Sequence, residues 1–193
     1  REENRSLIGD LGGLDPIVFT RRDLRNDTTS SAAYAQVDFD LSERLSLTAG
    51  IRFTNEKKDI DVNYTNELAG VTFTNADLVA VGIPTHQTED RWTPKIGLQY
   101  QITDGVMTYI SATNGFKSGG WNARVDQAVN LVAFGPEKVW SYEAGLKADW
   151  LNSRMRTNVT AFYANYEDRQ IATSYPGTTT FVTTNAGDTP IKG

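Results

Sequence analysis

The chain has no cysteine, a single histidine and two methionines among its 193 residues. Without cysteine there is no disulfide staple and no thiolate metal site, although many compartments tolerate such an absence. His86 stands alone in a polar stretch near Glu89 and Asp90, and one imidazole does not make a converging ligand set, so no metal is expected. No run of about eighteen apolar residues occurs, which excludes a membrane-crossing helix. Membrane strands stay open, because they alternate and carry low hydropathy. Basic residues are also scarce: 19 Lys and Arg against 24 Asp and Glu give a net charge of −5 and a pI near 4.9. Phosphate backbones select the opposite balance, so nucleic acid is excluded as a partner. Large aliphatics are thin for a soluble core of this size. The first residues, REENRSLIGD, show no charged-then-apolar leader, and any export signal is expected upstream of Arg1. No Ser-His-Asp arrangement with supporting context is visible. The carboxylate pairs Glu167 with Asp168 and Asp38 with Asp40 read as solvated or salt-bridged groups, so no catalytic residue and no cofactor are expected.

What is present is alternation. In VWSYEAGLKADW, Val139 to Trp150, one face of an extended chain takes Trp140, Tyr142, Ala144, Leu146, Ala148 and Trp150. The other takes Ser141, Glu143, Gly145, Lys147 and Asp149. Every charge falls on one side, and aromatic rings bracket the other, as in a strand that crosses a bilayer between two aromatic girdles. The same pattern runs through 33–41, 45–53 and 92–100, and in these four strands no apolar-face position is charged. A Lys or Arg facing lipid at mid-depth costs about 2–4 kcal/mol, which accounts for the asymmetry.

Folding adjacent runs back on each other sets a register. Leu41 falls opposite Leu45, Phe39 opposite Leu47, Val37 opposite Ala49 and Ala35 opposite Ile51. A second hairpin joins 92–100 to 106–112, with Pro94 weakening the first strand because proline donates nothing to a ladder. A third sets Trp150 opposite Met155, Leu146 opposite Val159, Tyr142 opposite Tyr163 and Asp149 opposite Arg156. Residues 1–30 read as a loop segment with a basic cluster at Arg21, Arg22 and Arg25 and a short extended piece at 17–19. Further long loops are expected over 56–90, 116–136 and beyond Arg169, with a new strand starting within Asn185 to Gly193. Short turns near Glu43, Asp104 and Ser153 alternate with these long loops, and membrane barrels likewise have short periplasmic turns and long outer loops.

Several segments then resemble one family in order and spacing. They are YISATNGFKSGGWN (Tyr109 to Asn122), FGPEKVWSYEAGLKADW (Phe134 to Trp150), RTNVTAFYANYEDRQI (Arg156 to Ile171), NAG (Asn185 to Gly187) and the hairpin Tyr34 to Asp59. Together they are similar to the barrel of TonB-dependent outer-membrane receptors. The resemblance implies an all-β fold: an antiparallel up-and-down transmembrane β-barrel, present over 31–193 as about six to eight strands of a larger barrel of about 22. It implies a fragment, with an N-terminal plug domain elsewhere in the protein. Its partners would be the lipid bilayer, that plug, the TonB complex acting through the plug, and a small-molecule ligand. Its place would be the outer membrane of a Gram-negative bacterium, and its work the energy-coupled uptake of a ferric siderophore, cobalamin or oligosaccharide.

Alternation alone leaves two other readings: a passive porin-like channel, and a soluble β-sandwich module that binds carbohydrate. GFKSGG lacks the order of a phosphate loop, since Lys117 precedes the glycine pair and no periodic helix follows, so its glycines read as a bend. For function, the lumen-facing Arg52, Arg91, Lys95, Glu143 and Lys147 are candidates for contact with the plug. Tyr64, Phe73, Trp121 and Phe134, in the outer loops, are candidates for contact with ligand.

Overall fold

A computed structural model describes residues 2–8, 20–67, 69–122, 125, 127–174 and 181–193, the first of these as backbone. The strands in chain order are β1 (Glu2–Ile8), β2 (Thr20–Ser42), β3 (Leu45–Asn66) and β4 (Val71–Thr74), followed by α1 (Asn75–Ala80). Next come β5 (His86–Thr103), β6 (Val106–Lys117), β7 (Gly120–Trp121), β8 (Ala133–Phe134), β9 (Glu137–Trp150) and β10 (Met155–Glu167). Then follow β11 (Gln170–Ser174), β12 (Phe181–Asn185) and β13 (Thr189–Lys192), and one 3-10 turn covers Ala128–Asn130 between β7 and β8. A single antiparallel sheet runs β1-β2-β3-β5-β6-β9-β10-β13, open at both ends, with β4 laid on the upper part of β3. Two small ladders, β7 with β8 and β11 with β12, stand in the outer loops.

The strand pairing follows the expected register. Phe39 faces Leu47, Val37 faces Ala49 and Ala35 faces Ile51. Trp150 faces Met155, Leu146 faces Val159, Tyr142 faces Tyr163, and Arg156 grips Asp149 through two bonds of 2.7 and 3.0 Å. One pair differs. Leu45 sits opposite Ser42, because a bulge between Asp40 and Ser42 takes Leu41 out of the ladder before the turn.

The apolar face is open rather than buried under a second sheet. Val37 is 62%, Ile96 55% and Ile110 58% exposed, and Ile51 and Leu146 are exposed as well. A β-sandwich would cover these side chains, so that alternative is excluded. At the loop end of this face Phe53 packs on Trp92 (4.8 Å between ring centroids), Trp140 on Tyr142 (6.1 Å) and Tyr142 on Tyr163 (6.5 Å). Trp150 marks the turn end, its indole N–H donating to Thr157 at 3.2 Å. Trp140 to Trp150 spans about 33 Å along the strand at 3.3 Å per residue. Tilted by about 40°, it stands about 25 Å tall, the height of a membrane barrel's apolar band.

The loop expectation for residues 1–30 is corrected over 2–8 and 20–30, which are strand. The basic run there lacks the lipid-imposed pattern because it rises above the bilayer, where its outer face meets water and its inner face, with Arg22 and Leu24, packs on the loops. It is held by its ladder with β3, Arg22 opposite Tyr64 for example, and by Arg21–Asp23 and Arg25–Asp27 pairs along the strand. The extended piece expected at 17–19 lies outside the described residues. Over 56–90 the strands reach much further than expected, β3 to Asn66 and β5 from His86, and the connection carries α1. The Asp77 carboxylate caps that helix by accepting the N–H of Thr74 at 2.8 Å. The strand expected within Asn185 to Gly193 begins at Thr189 and pairs with β10.

Candidate functional site

Cross-strand partners share a face, so the register places the inward candidates. Arg52 on β3 faces Thr93 on β5, which puts Arg91 and Lys95 on the same side. Lys95 faces Thr113 on β6, and Thr113 faces Ser141 on β9, which adds Glu143 and Lys147. All five therefore point away from the apolar face, but they do not converge on one point. Arg52 donates to Thr54 at 3.1 Å, Arg91 pairs with the Glu89 carboxylate, and the Lys147 ammonium lies 5.6 Å over the Tyr109 ring. Among the described residues neither Lys95 nor Glu143 makes an ion pair. Tyr109 lies flat on Gly145, where an added Cβ would meet the ring at 2.3 Å, and its hydroxyl reaches Thr160 at 3.0 Å.

The aromatic candidates in the loops fare differently. Tyr64 and Phe73 stack at 4.7 Å and are 2% and 3% exposed, so they offer no surface to a ligand in this arrangement. They belong to an apolar core with Ile60, Val62, Leu78, Ile83, Val125 and Leu131, built from two loops on the inward side of β3. The inward row of β3 is polar up to Lys58 and apolar from Ile60, which is what lets a loop pack there. Arg22 seals the cluster, its guanidinium 5.5 Å from the Tyr64 ring centre and donating to the Val125 carbonyl at 2.9 Å. Trp121 and Phe134 are half-buried in the β7–β8 ladder. The Trp121 indole N–H donates to the Pro84 carbonyl at 2.6 Å, and Phe134 packs against Gly120.

Sequence reading missed the polar junction beneath this core. Lys58 donates to Ser118 Oγ and to the Gly119 carbonyl, both at 2.8 Å, and pairs with Glu56 at 3.2 Å. Gln170 donates to the carbonyls of Ser118 and Gly135, each at 3.0 Å, while its own backbone N–H reaches Glu137 at 2.7 Å. Asn185 accepts from the Gly135 N–H at 2.7 Å and donates to the Asp168 carbonyl at 2.8 Å. Asn122 exchanges two bonds with Thr183. The segments GFKSGGWN, FGPE and NAG thus meet as one knot that joins three loops. Gly119 must be glycine, since a Cβ would lie 2.3 Å from the Phe134 carbonyl oxygen. Glu56 stands above the outer girdle. Burial works to raise its carboxyl, but hydrogen bonds from Ser118 and Lys58, with the charge of Lys58, hold it below the usual carboxylate value. His86 is taken up by Asp59 and Thr88, at 2.8 Å each, and among the described residues no group of three acidic or histidine side chains could hold a metal.

A sheet that is greasy outside, charged inside and knotted at its loop end can then be compared with known proteins. Residues 2–193 match the family described as TonB dependent receptor-like, beta-barrel. The chain belongs to that family, whose members reside in the outer membrane of Gram-negative bacteria. Among curated relatives it is 29% identical over 144 residues to the metal-pseudopaline receptor CntO of Pseudomonas aeruginosa, covering 74% of this chain and 18% of that receptor. It is 24% identical over 162 residues to the pesticin receptor of Yersinia enterocolitica, covering 84% and 22%. Among solved structures, the ferric yersiniabactin uptake receptor FyuA from Yersinia pestis superposes with a TM-score of 0.69 at 19% identity, over 89% of this chain and 25% of that one. The ferric-catecholate import receptor Fiu from K12 E. coli does so with a TM-score of 0.58 at 17% identity, over 93% and 26%. The chain spans about a fifth of the length of the curated relatives it matches.

Proposed function

We propose that this chain is part of the wall and outer rim of a receptor that draws a scarce small molecule across the outer membrane, with a metal chelate of the ferric siderophore type as cargo and cobalamin or an oligosaccharide as the other classes. The chain makes and breaks no bonds. Its apolar face meets acyl chains, and its inward charges face a plug domain of the same protein, on which the TonB complex pulls. Lys95 and Glu143 are the strongest of the five plug-facing candidates, because among the described residues neither is held in a close ion pair, hydrogen bond or cation–π contact as Arg52, Arg91 and Lys147 are. The partition of charge across the sheet, together with the exposure of its apolar face, is the observation that carries this reading, since a membrane wall leaves that face to lipid whereas a soluble sandwich buries it. The relatives named for pseudopaline and yersiniabactin support a chelate as cargo.

Uptake of labelled ferric chelates into cells with and without the full-length receptor tests this, before and after a protonophore collapses the proton gradient. Receptor-dependent uptake that stops with the gradient is the expected result. Receptor-dependent uptake that continues without the gradient overturns it in favour of a passive channel.

A further inference from the structure

The β5–β6 ladder starts at Thr103 opposite Val106 and ends at Lys95 opposite Thr113. Yet β5 continues to His86 and β6 to Lys117, each still paired on its other side, β5 with β3 as far as His86 and β6 with β9 as far as Lys117. The sheet therefore divides at its outer end into one leaf of β2, β3 and β5 and another of β6, β9 and β10. The residue next to the last β5–β6 pair is Pro94, which has no N–H to offer a ladder. What crosses the split just above the outer girdle is side chain. Lys58 reaches from the first leaf to Ser118 and Gly119 at the head of the second, and Gln87 donates to the Gly120 carbonyl at 3.3 Å. A cavity of about 170 Å³ lies in the split, lined by Glu56, Lys58, Gln87, Glu89, Gly119 and Pro136 among others.

We propose that Lys58 is a latch across a built-in seam in the barrel wall: its ammonium, anchored by Glu56, takes the place of the missing backbone bonds and holds the base of the β6–β9 loop against β5. Among the described residues the two leaves above Pro94 are joined through side chains, by Lys58 and Gln87 at the base and by Trp121, Arg22 and the apolar core of the loops at the tip. A segment held in this way opens as one unit, without disturbing the continuous ladders below it. The inference does not depend on what the receptor carries.

Amide hydrogen exchange of the full-length receptor in detergent tests it. Lys58→Met should speed exchange roughly tenfold across 114–122 and 133–138 and leave the ladder of 95–113 unchanged. Lys57→Met, on the opposite face of the same strand, should change neither region. Ser118→Ala keeps the test open should Lys58→Met fail to assemble, and should give a smaller rise in the same two segments. Unchanged exchange at 114–122 in the assembled variant, or a rise that spreads equally through 95–113, would overturn the latch.

Discussion

A cation added to one face of β3 enters hydrocarbon, and the same cation on the other face enters a hydrated interior next to carboxylates. Ile51 looks outward and Thr48 inward, where its hydroxyl donates to Asp38 at 2.6 Å. Ile51→Arg, a short way below the outer girdle, should cost the full-length receptor about 1–2 kcal/mol, less than the mid-depth cost, and deplete the folded form in outer membranes. Thr48→Arg should be tolerated, since its guanidinium can pair with Asp38. Quantifying the folded band on semi-native gels checks both, and equal losses would sink the assignment of faces. The Glu56 carboxyl gives a pH dependence of known sign. Because folding holds it below the usual carboxylate value, it stabilises at neutral pH, and that contribution fades as pH falls through its depressed value. The melting temperature of the intact receptor should therefore exceed that of its Glu56→Gln variant at neutral pH, with the gap closing under acid. A gap that widened under acid would contradict the depressed value.

Elements differ in how far the sequence announces them. The crossing strands were legible because lipid on one side and water on the other impose a period of two, and that period also fixes register and places Arg52, Arg91, Lys95, Glu143 and Lys147 without coordinates. The bulge at Leu41 was not legible, since a skipped residue leaves no mark when the turn is polar anyway. The upper strands were missed because outside the bilayer nothing forces alternation, as TRRDLRN in β2 shows. Tyr64 and Phe73 misled for a related reason: an aromatic in a loop reads as surface until a second loop, far away in sequence, is seen to cover it. The junction bonds of Lys58 to Gly119, Gln170 to Ser118 and Asn185 to Gly135 span 61, 52 and 50 residues, so local pattern carries no trace of them. The loop core itself can be tested at Leu78, which is fully buried. Leu78→Ala should remove about 2–5 kcal/mol from that layer alone. Limited proteolysis of the intact receptor should then cut within 67–85 and 122–132 sooner, while the melt of the barrel stays put. A lowered barrel melt with no new cleavage would show that the loop layer is not a separate unit.

At the scale of the whole molecule, the sheet has eight strands in line and, among the described residues, does not close: β1 covers only Thr20–Asn26 of β2 and β13 only Tyr163–Tyr166 of β10, so at membrane level β2 and β10 each present an unpaired edge. Hydrocarbon supplies no partners for such backbone groups, and open edges in water pair with other chains. The 193-residue chain expressed alone should therefore aggregate or require denaturant, and a dispersed, monomeric amide spectrum in plain buffer would refute that. The wall is also far from level. β3 runs on from Phe53 at the outer girdle to Asn66, about 40 Å along the strand, whereas β9 begins only three residues above Trp140. Such a crest stands above the neighbouring strands of this wall, open to whatever arrives from the medium. An antibody raised against residues 64–72 should stain living cells, while one raised against the short turn at 151–154 should find its epitope only after the envelope has been breached.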